Sequence, residues 1–229
     1  MLSIIIPAYN EADNIEQLVN HLQQYGQPCI KEIIISDGGS NDHTVQLAAA
    51  AGASVVHCPL KGRAAQMNYG ASFATGDLLY FIHADTIPPS SFCTDITMAM
   101  QEGFEFGRYR TRFGSNNWIL PLNAFFTRFD LFICYGGDQT FFITRQLFTA
   151  IGGFKDDMLI MEDYEIVTRA KKKAKYKIIQ KDALVSTRKY DTNSWFKVQR
   201  ANYRIVQMYK KGASQQEMVN KYKRWINYR

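Results

Sequence analysis

The chain reads as an α/β protein with a mostly parallel central sheet flanked by helices. Three observations predict that class. Short β-branched runs alternate with amphipathic segments through the first hundred residues. The runs are apolar throughout, as strands covered on both faces are. Polar clusters follow several of them directly, where the carboxyl ends of parallel strands hold ligands. The 229 residues, 46% of them hydrophobic and 14% aromatic, can bury a sizeable core, which excludes global disorder.

In chain order, LSIII (2–6) is the first strand and ends at Pro7. Ile15, Leu18, Val19 and Leu22 then recur at helical spacing, with Gly26 as the stop. EIIIS (32–36) is the second strand and leads into the turn DGGSND. Ser40 or Asn41 caps the next helix, which runs through Val45 and Leu47 and stops at Gly52. SVVH (54–57) is the third strand, RAAQMNYGASFA (63–74) a helix of small residues, and LLYFI (78–82) the fourth strand. From about 86 to 160 the periodic signals fade and aromatics increase. EDYEIVTRAKKKAK (162–175) predicts a helix with Tyr164, Val167 and Ala170 or Ala174 inward. IIQ and ALVS predict two short strands. Two amphipathic helices follow. Trp195, Val198, Ala201, Ile205, Met208 and Tyr209 form one face of the first, which ends at Gly212. Ser214 and Glu217 form a capping box for the second, which carries Met218, Tyr222, Trp225 and Ile226.

Charge is distributed unevenly. Residues 1–168 carry net −9 and residues 169–229 net +15, within a total of +6. Such a split points to an anionic partner for the basic part. Cys29, Cys58, Cys93 and Cys134 form no C-x-x-C pair and read as reduced thiols in a cytoplasmic setting. The N-terminal MLSIIIPAYNEADN lacks a basic leader region and does not read as a signal peptide. NWILPLNAFFTRFDLFICY is broken by Pro121, Asn123, Arg128 and Asp130, so no membrane-spanning helix is expected.

Several clusters could carry chemistry, each with a plain structural alternative. Pro7-Ala8-Tyr9-Asn10-Glu11 opens a strand-to-helix turn, where Glu11 could simply favour the helix dipole. The glycines after Asp37 allow close ligand approach, although the Asx and Ser side chains could merely cap. No G-x-G-x-x-G follows the first strand and no P-loop signature occurs, so dinucleotide and P-loop readings lose support. His83 and Asp85 stand at alternate positions and would point the same way on an extended chain. Their oxygen and imidazole donors suit Mg²⁺ or Mn²⁺, the alternative being a strand-terminal Asp that caps a turn. Of Glu162 and Asp163, one can stabilise a helix start while the other faces a cleft as general base. Arg63, after Lys61-Gly62, and Arg188, within Ser186-Thr187-Arg188-Lys189, suit phosphate; the alternative is solvated loops.

Taken together, PAYNE, DGGSND, KGRAAQMN, GDLLYFIHADT, GGF and MEDYEI, in this order and spacing, resemble the family 2 glycosyltransferases of GT-A fold. The nearest variety is a short, soluble subgroup with a HAD motif and a GDQ segment, here Gly137-Asp138-Gln139. The resemblance covers roughly residues 1–190: 1–100 as the nucleotide-binding half and 101–190 as the acceptor and catalytic half, with 191–229 as a helical appendage. It implies inverting transfer of a sugar from a nucleotide diphosphate, with uridine the expected base, to an acceptor hydroxyl. It assigns Pro7, Ala8, Tyr9 and Glu11 to the base and ribose loop, Asp37 to the base, and Arg63 to the nucleotide pocket. Asp85 becomes the last carboxylate of the D-x-D motif, with a divalent Mn²⁺ or Mg²⁺, and Asp163 the general base beside Glu162. His83 replaces the first Asp of that motif, which leaves Asp85 as its only carboxylate. No Q-x-x-R-W occurs, which argues against a processive synthase.

Two rival classes fit parts of the sequence. A sugar nucleotidyltransferase would need a Gly-rich, Arg-containing loop after the first strand, which PAYNEAD is not. A non-enzymatic binder would use the basic region on anionic lipid or nucleic acid; no nucleic acid is expected beside the transferase reading. The acceptor could be lipid-linked and the protein peripheral on the inner membrane face. The terminal helices could equally pack on the body, on a second subunit in a homodimer, or on an anionic membrane.

Overall fold

A computed structural model of the chain describes residues 1–114, 119–136 and 139–227. Gly137 and Asp138 of the GDQ segment therefore lie outside the described residues. The strands are β1 (Leu2–Ala8), β2 (Ile30–Asp37), β3 (Ser54–His57), β4 (Leu78–Phe81), β5 (Thr86–Ile87), β6 (Phe106–Phe113), β7 (Phe141–Thr144) and β8 (Tyr176–Val185). They form one sheet in the order β3-β2-β1-β4-β7-β6-β8-β5. β1 to β4 are mutually parallel; β7 is antiparallel to β4 and β6, and β5 to β8. The mostly parallel sheet is thus as expected, with reversed strands at β5 and β7.

Helices cover both faces: α1 (Ala12–Gly26), α2 (Thr44–Ala50), α3 (Arg63–Phe73), α4 (Phe92–Gln101), α5 (Leu120–Phe126), α6 (Arg145–Ala150), α7 (Glu162–Ala170), α8 (Arg188–Asp191), α9 (Trp195–Lys210) and α10 (Gln215–Trp225). Strand residues alternate between two cores. Ile4, Ile6, Ile33 and Ile35 meet α1 and α4 on one face. Ile5, Ile34, Leu79 and Phe81 meet α3, α6 and α7 on the other. Ile205 and Val206 of α9 and Met218 of α10 join this second core, so the terminal helices pack on the body. Among the described residues, no helix is long and apolar enough to cross a membrane.

Several local expectations are corrected. β1 continues through Pro7 to Ala8, paired with Ser36 and Asp37; its pairing with β4 ends at Ile5, so Pro7 needs a partner on one side only. The 162–175 helix stops at Ala170, because Lys171 to Lys173 turn the chain toward β8. IIQ and ALVS belong to one strand: Tyr109 pairs with Ile179 and Arg110 with Asp182, so Gln180 and Lys181 bulge out. The region from 86 to 160 contains α4, β6, β7 and α6.

The cysteine expectation fails for two of the four residues. Cys29 and Cys93 are joined in a disulfide with Cα atoms 6.1 Å apart. Gly26 explains their meeting, since a Cβ there would lie 2.0 Å from Ile30 and 3.0 Å from Phe92. The end of α1, the start of β2 and the start of α4 therefore converge at one bare backbone position. With that pair bonded, the cysteine pattern no longer argues for a reducing compartment. Cys58 and Cys134 are free thiols.

Candidate active site

The sheet order creates a crevice. From β1 the chain adds β2 and β3 on one side, then returns to place β4 on the other. The loops after β1 and β4 diverge at that switch point, where open α/β sheets bind ligands. A cavity of about 600 Å³ lies there, lined by Pro7, Ala8, Tyr9 and Glu11 after β1, His83 and Asp85 after β4, Arg63 and Gln66 of α3, and Arg188. Eight sequence-predicted residues thus share one cleft.

His83 to Thr86 form a turn, with the Thr86 N–H donating to His83 O at 3.0 Å. The expectation of an extended chain with alternate side chains aligned is corrected: both residues reach the cleft because the backbone folds back. The turn leads into β5, whose Thr86 and Ile87 pair with Val185 and Leu184 of β8. That pairing delivers Arg188. Its guanidinium donates to both Glu11 carboxylate oxygens at 2.9 and 3.0 Å and to Asp85 Oδ2 at 2.8 Å. Burial works against its charge, but the bonds from Glu11 and Asp85 outweigh it and raise the Arg188 pKa. Its buried Nε–H has no hydrogen-bond partner among the described residues.

Asp37 does not line this cleft. It is 2% exposed, and its carboxylate accepts from Gly39 N at 3.1 Å and Ser40 N at 3.2 Å. Its part in the fold is to shape the DGGS turn. Ser40 and Asn41 do not cap α2, which is opened instead by Asp42 accepting from Thr44 N. They hold the first loop: Ser40 Oγ accepts from Asn10 N, and Asn41 N donates to Asn10 Oδ1. Asn10 needs such support because its φ of 53° is left-handed. Asp42 and Thr44 also accept from Ala12 N and Glu11 N, capping α1 from a distance. Gln66, which sequence reasoning missed, donates to Ala8 O and Ser36 O and ties β1 to β2.

A second cavity, of about 200 Å³, is lined by Glu162, Asp163 and Tyr164 at the start of α7, by Lys189, and by residues of α9 and α10. Arg63 lines both cavities and stands at their junction. Its Nε lies 3.3 Å from Glu162 Oε1, and Glu162 is buried. Asp163 is partly exposed to the cavity. Burial, and then the Asp163 charge, push the Tyr164 phenol upward, so it stays protonated beside that carboxylate.

Residues 3–155 match the family model for glycosyl transferase family 2. The chain belongs to that family. Over 96 residues the chain is 30% identical to a glucosyl-3-phosphoglycerate synthase of Mycolicibacterium smegmatis, covering 38% of this chain and 32% of that protein. It is 31% identical over 110 residues to an uncharacterized glycosyltransferase of Escherichia coli, covering 45% of this chain and 32% of the relative. These alignments span about a third of the relatives' length. Among solved structures, a mannosyltransferase from Pyrobaculum calidifontis in complex with GDP-Man and Mn²⁺ superposes with a TM-score of 0.69 at 16% identity, over 89% of this chain and 61% of that one. S. aureus TarS superposes at 0.68 and 16%, over 81% and 60%. These likenesses show the GT-A fold.

Proposed function

We propose that the enzyme transfers a sugar, with inversion, from a uridine diphosphate sugar to an acceptor hydroxyl. The observation that carries this reading is the junction at Arg63 between the large cleft and the smaller cavity holding Asp163. Pro7, Ala8, Tyr9 and Glu11 form the wall for the base and ribose. Asp37 acts from beneath, by holding the backbone of the Gly39 turn. Arg188 and Arg63 offer guanidinium groups to the diphosphate, and the partnerless Arg188 Nε–H suits an anionic oxygen. One protein with this fold, the glucosyl-3-phosphoglycerate synthase of Mycobacterium tuberculosis, was solved with UDP and either Mn²⁺ or Mg²⁺, which supports both the base and a divalent ion.

The donor set fits such an ion. Among the described residues no cluster of three or more His, Cys, Asp and Glu side chains forms. Asp85 and His83 supply a carboxylate and an imidazole, which suits an ion that takes its remaining ligands from phosphate and water. When bound, the ion would neutralise charge on the departing diphosphate.

The chain's own residues perform the rest. Asp163 accepts the proton of the acceptor hydroxyl, whose oxygen forms the new bond to the anomeric carbon. The bond from that carbon to the diphosphate breaks on the opposite side, and its electron pair leaves with the diphosphate oxygen. Arg63, held by Glu162, offsets the charge that develops there. In this reading residues 1–100 are the donor half and 101–190 the acceptor and catalytic half, while 191–229 complete the cavity wall. A thermal-shift screen of nucleoside diphosphates with and without Mn²⁺ or Mg²⁺ tests the donor side. Stabilisation by UDP with metal is expected; the absence of stabilisation by any nucleotide would refute the reading. Asp163→Asn should abolish transfer and leave nucleotide affinity intact, as measured by product assay and calorimetry.

A further inference from the structure

The segment after β6 carries an apolar stripe that faces solvent. Leu122, Phe125, Phe126 and Phe129 recur at i, i+3, i+4 and i+7, the spacing of a face that normally packs inward. Here they are 53%, 44%, 45% and 42% exposed. The orientation is imposed from beneath by polar ties. Thr127 Oγ1 accepts from the Thr111 N–H at 2.9 Å, buried Arg108 donates to Phe129 O, and Lys171 holds Asp130 at 2.5 Å. Leu120 is the buried apolar residue of α5, and the ties of residues 127–130 to the body are polar.

The start of α9 faces the stripe across a groove of about 340 Å³. Phe126 and Ile133 form one lip, Trp195 and Tyr203 the other. The floor includes Tyr164 and Lys189, which also line the cavity holding Asp163. The groove therefore adjoins the cavity of the proposed base and shares Phe126 with the exposed apolar stripe. Phe196 packs edge to face on the groove residue Trp195 and is 72% exposed. Cations border it. Arg128 stacks 4.1 Å from the Phe125 ring. Exposed Lys197 follows Phe196, and exposed Arg200 lies one turn on from it.

We infer that this groove is the acceptor subsite and that its rim seats on a lipid layer with anionic headgroups, from which an acceptor alcohol with an apolar chain enters. This rests on the transfer reading above and adds the acceptor class. Clustered exposed apolar side chains are uncommon on soluble surfaces unless they bind something. Aromatics with flanking Lys and Arg match an interface that is apolar within and anionic at its surface. A sugar-binding groove would not need the stripe to continue beyond its lips. The hydroxyl of the seated alcohol would lie toward Asp163, which takes its proton as the oxygen bonds to the anomeric carbon and the diphosphate leaves.

The test is flotation of the full chain with vesicles of phosphatidylcholine and phosphatidylglycerol. The full chain should float. Phe125→Ser, Phe129→Ser and Phe196→Ser together should weaken binding by at least about tenfold. The stabilisation by UDP and Mn²⁺ should be unchanged in that variant, which shows that it folds. Decyl glucoside below its micellar concentration, read by tryptophan fluorescence, should bind the full chain but not an Ile133→Asp variant. Methyl glucoside should bind neither. No flotation of the full chain, equal flotation of the triple variant, or equal binding of the two glucosides would overturn the inference. Flotation without any nucleotide effect would leave the lipid surface standing and remove the donor reading.

Discussion

Arg188 balances two carboxylates that would otherwise face each other across the cleft, Glu11 and Asp85. Arg188→Gln keeps much of the side chain's volume but removes the charge. UDP affinity should fall roughly tenfold, the effect of losing one charge-assisted hydrogen bond, as read by calorimetry. Unchanged affinity would remove Arg188 from the diphosphate site. Glu165 gives a second prediction at this scale. Burial raises its pKa, but hydrogen bonds from Arg169 and Lys155 outweigh that and leave it below the ordinary value of 4.5. A depressed carboxylate contributes stability that is complete above its ordinary pKa and is lost as pH falls through the depressed value. Acid should therefore destabilise the enzyme below about pH 4.5, and Glu165→Gln should flatten that fall in a pH series of denaturant midpoints. Asp163 and Glu162 could be singled out in the sequence because two acids opened a helix. Their separation into a cavity-facing carboxylate and a partner of Arg63 needed the structure, since Arg63 lies about a hundred residues away.

The first four strands were legible because each is a compact apolar run bounded by turn residues. β6 was not, because FGRYRTRF carries three arginines and lacks an apolar run. Buried Arg108 is satisfied there by Tyr176, Tyr109 O and Phe129 O, partners that no local pattern reveals. The HAD turn was visible as a polar break after a strand, but its folded-back shape depends on β5 pairing with the distant end of β8. The same limit applies to Cys29 and Cys93, which are 64 residues apart. Closing a loop of that length removes entropy from the unfolded chain worth about 4 kcal/mol at most. Reduction should lower the melting temperature by roughly 10 °C for a chain of this size. Cys29→Ser should show the lower value without added reductant, and calorimetry with and without dithiothreitol checks both.

Over the whole molecule, the two charge halves meet. Lys171 pairs with Asp130, Lys177 with Glu102, Lys181 with Asp95, and Arg188 with Glu11 and Asp85. Part of the +15 in the last quarter thus answers the protein's own acidic body, which composition alone read as a call for an external anion. The terminal helices share the core with α3 and α7, so the full chain should unfold in one calorimetric transition; two resolved transitions would mark 191–229 as independent. Arg188 adds a consequence for the order in which the protein is made. It lies 177 residues after Glu11 and beyond the family match that ends at 155. Until residue 188 has been made, Glu11 and Asp85 lack that counter-charge. Donor affinity would then arrive late in synthesis, once the chain has returned through β8 to the cleft it began. Truncation before residue 188 would remove that counter-charge and also take α9 and α10 from the shared core.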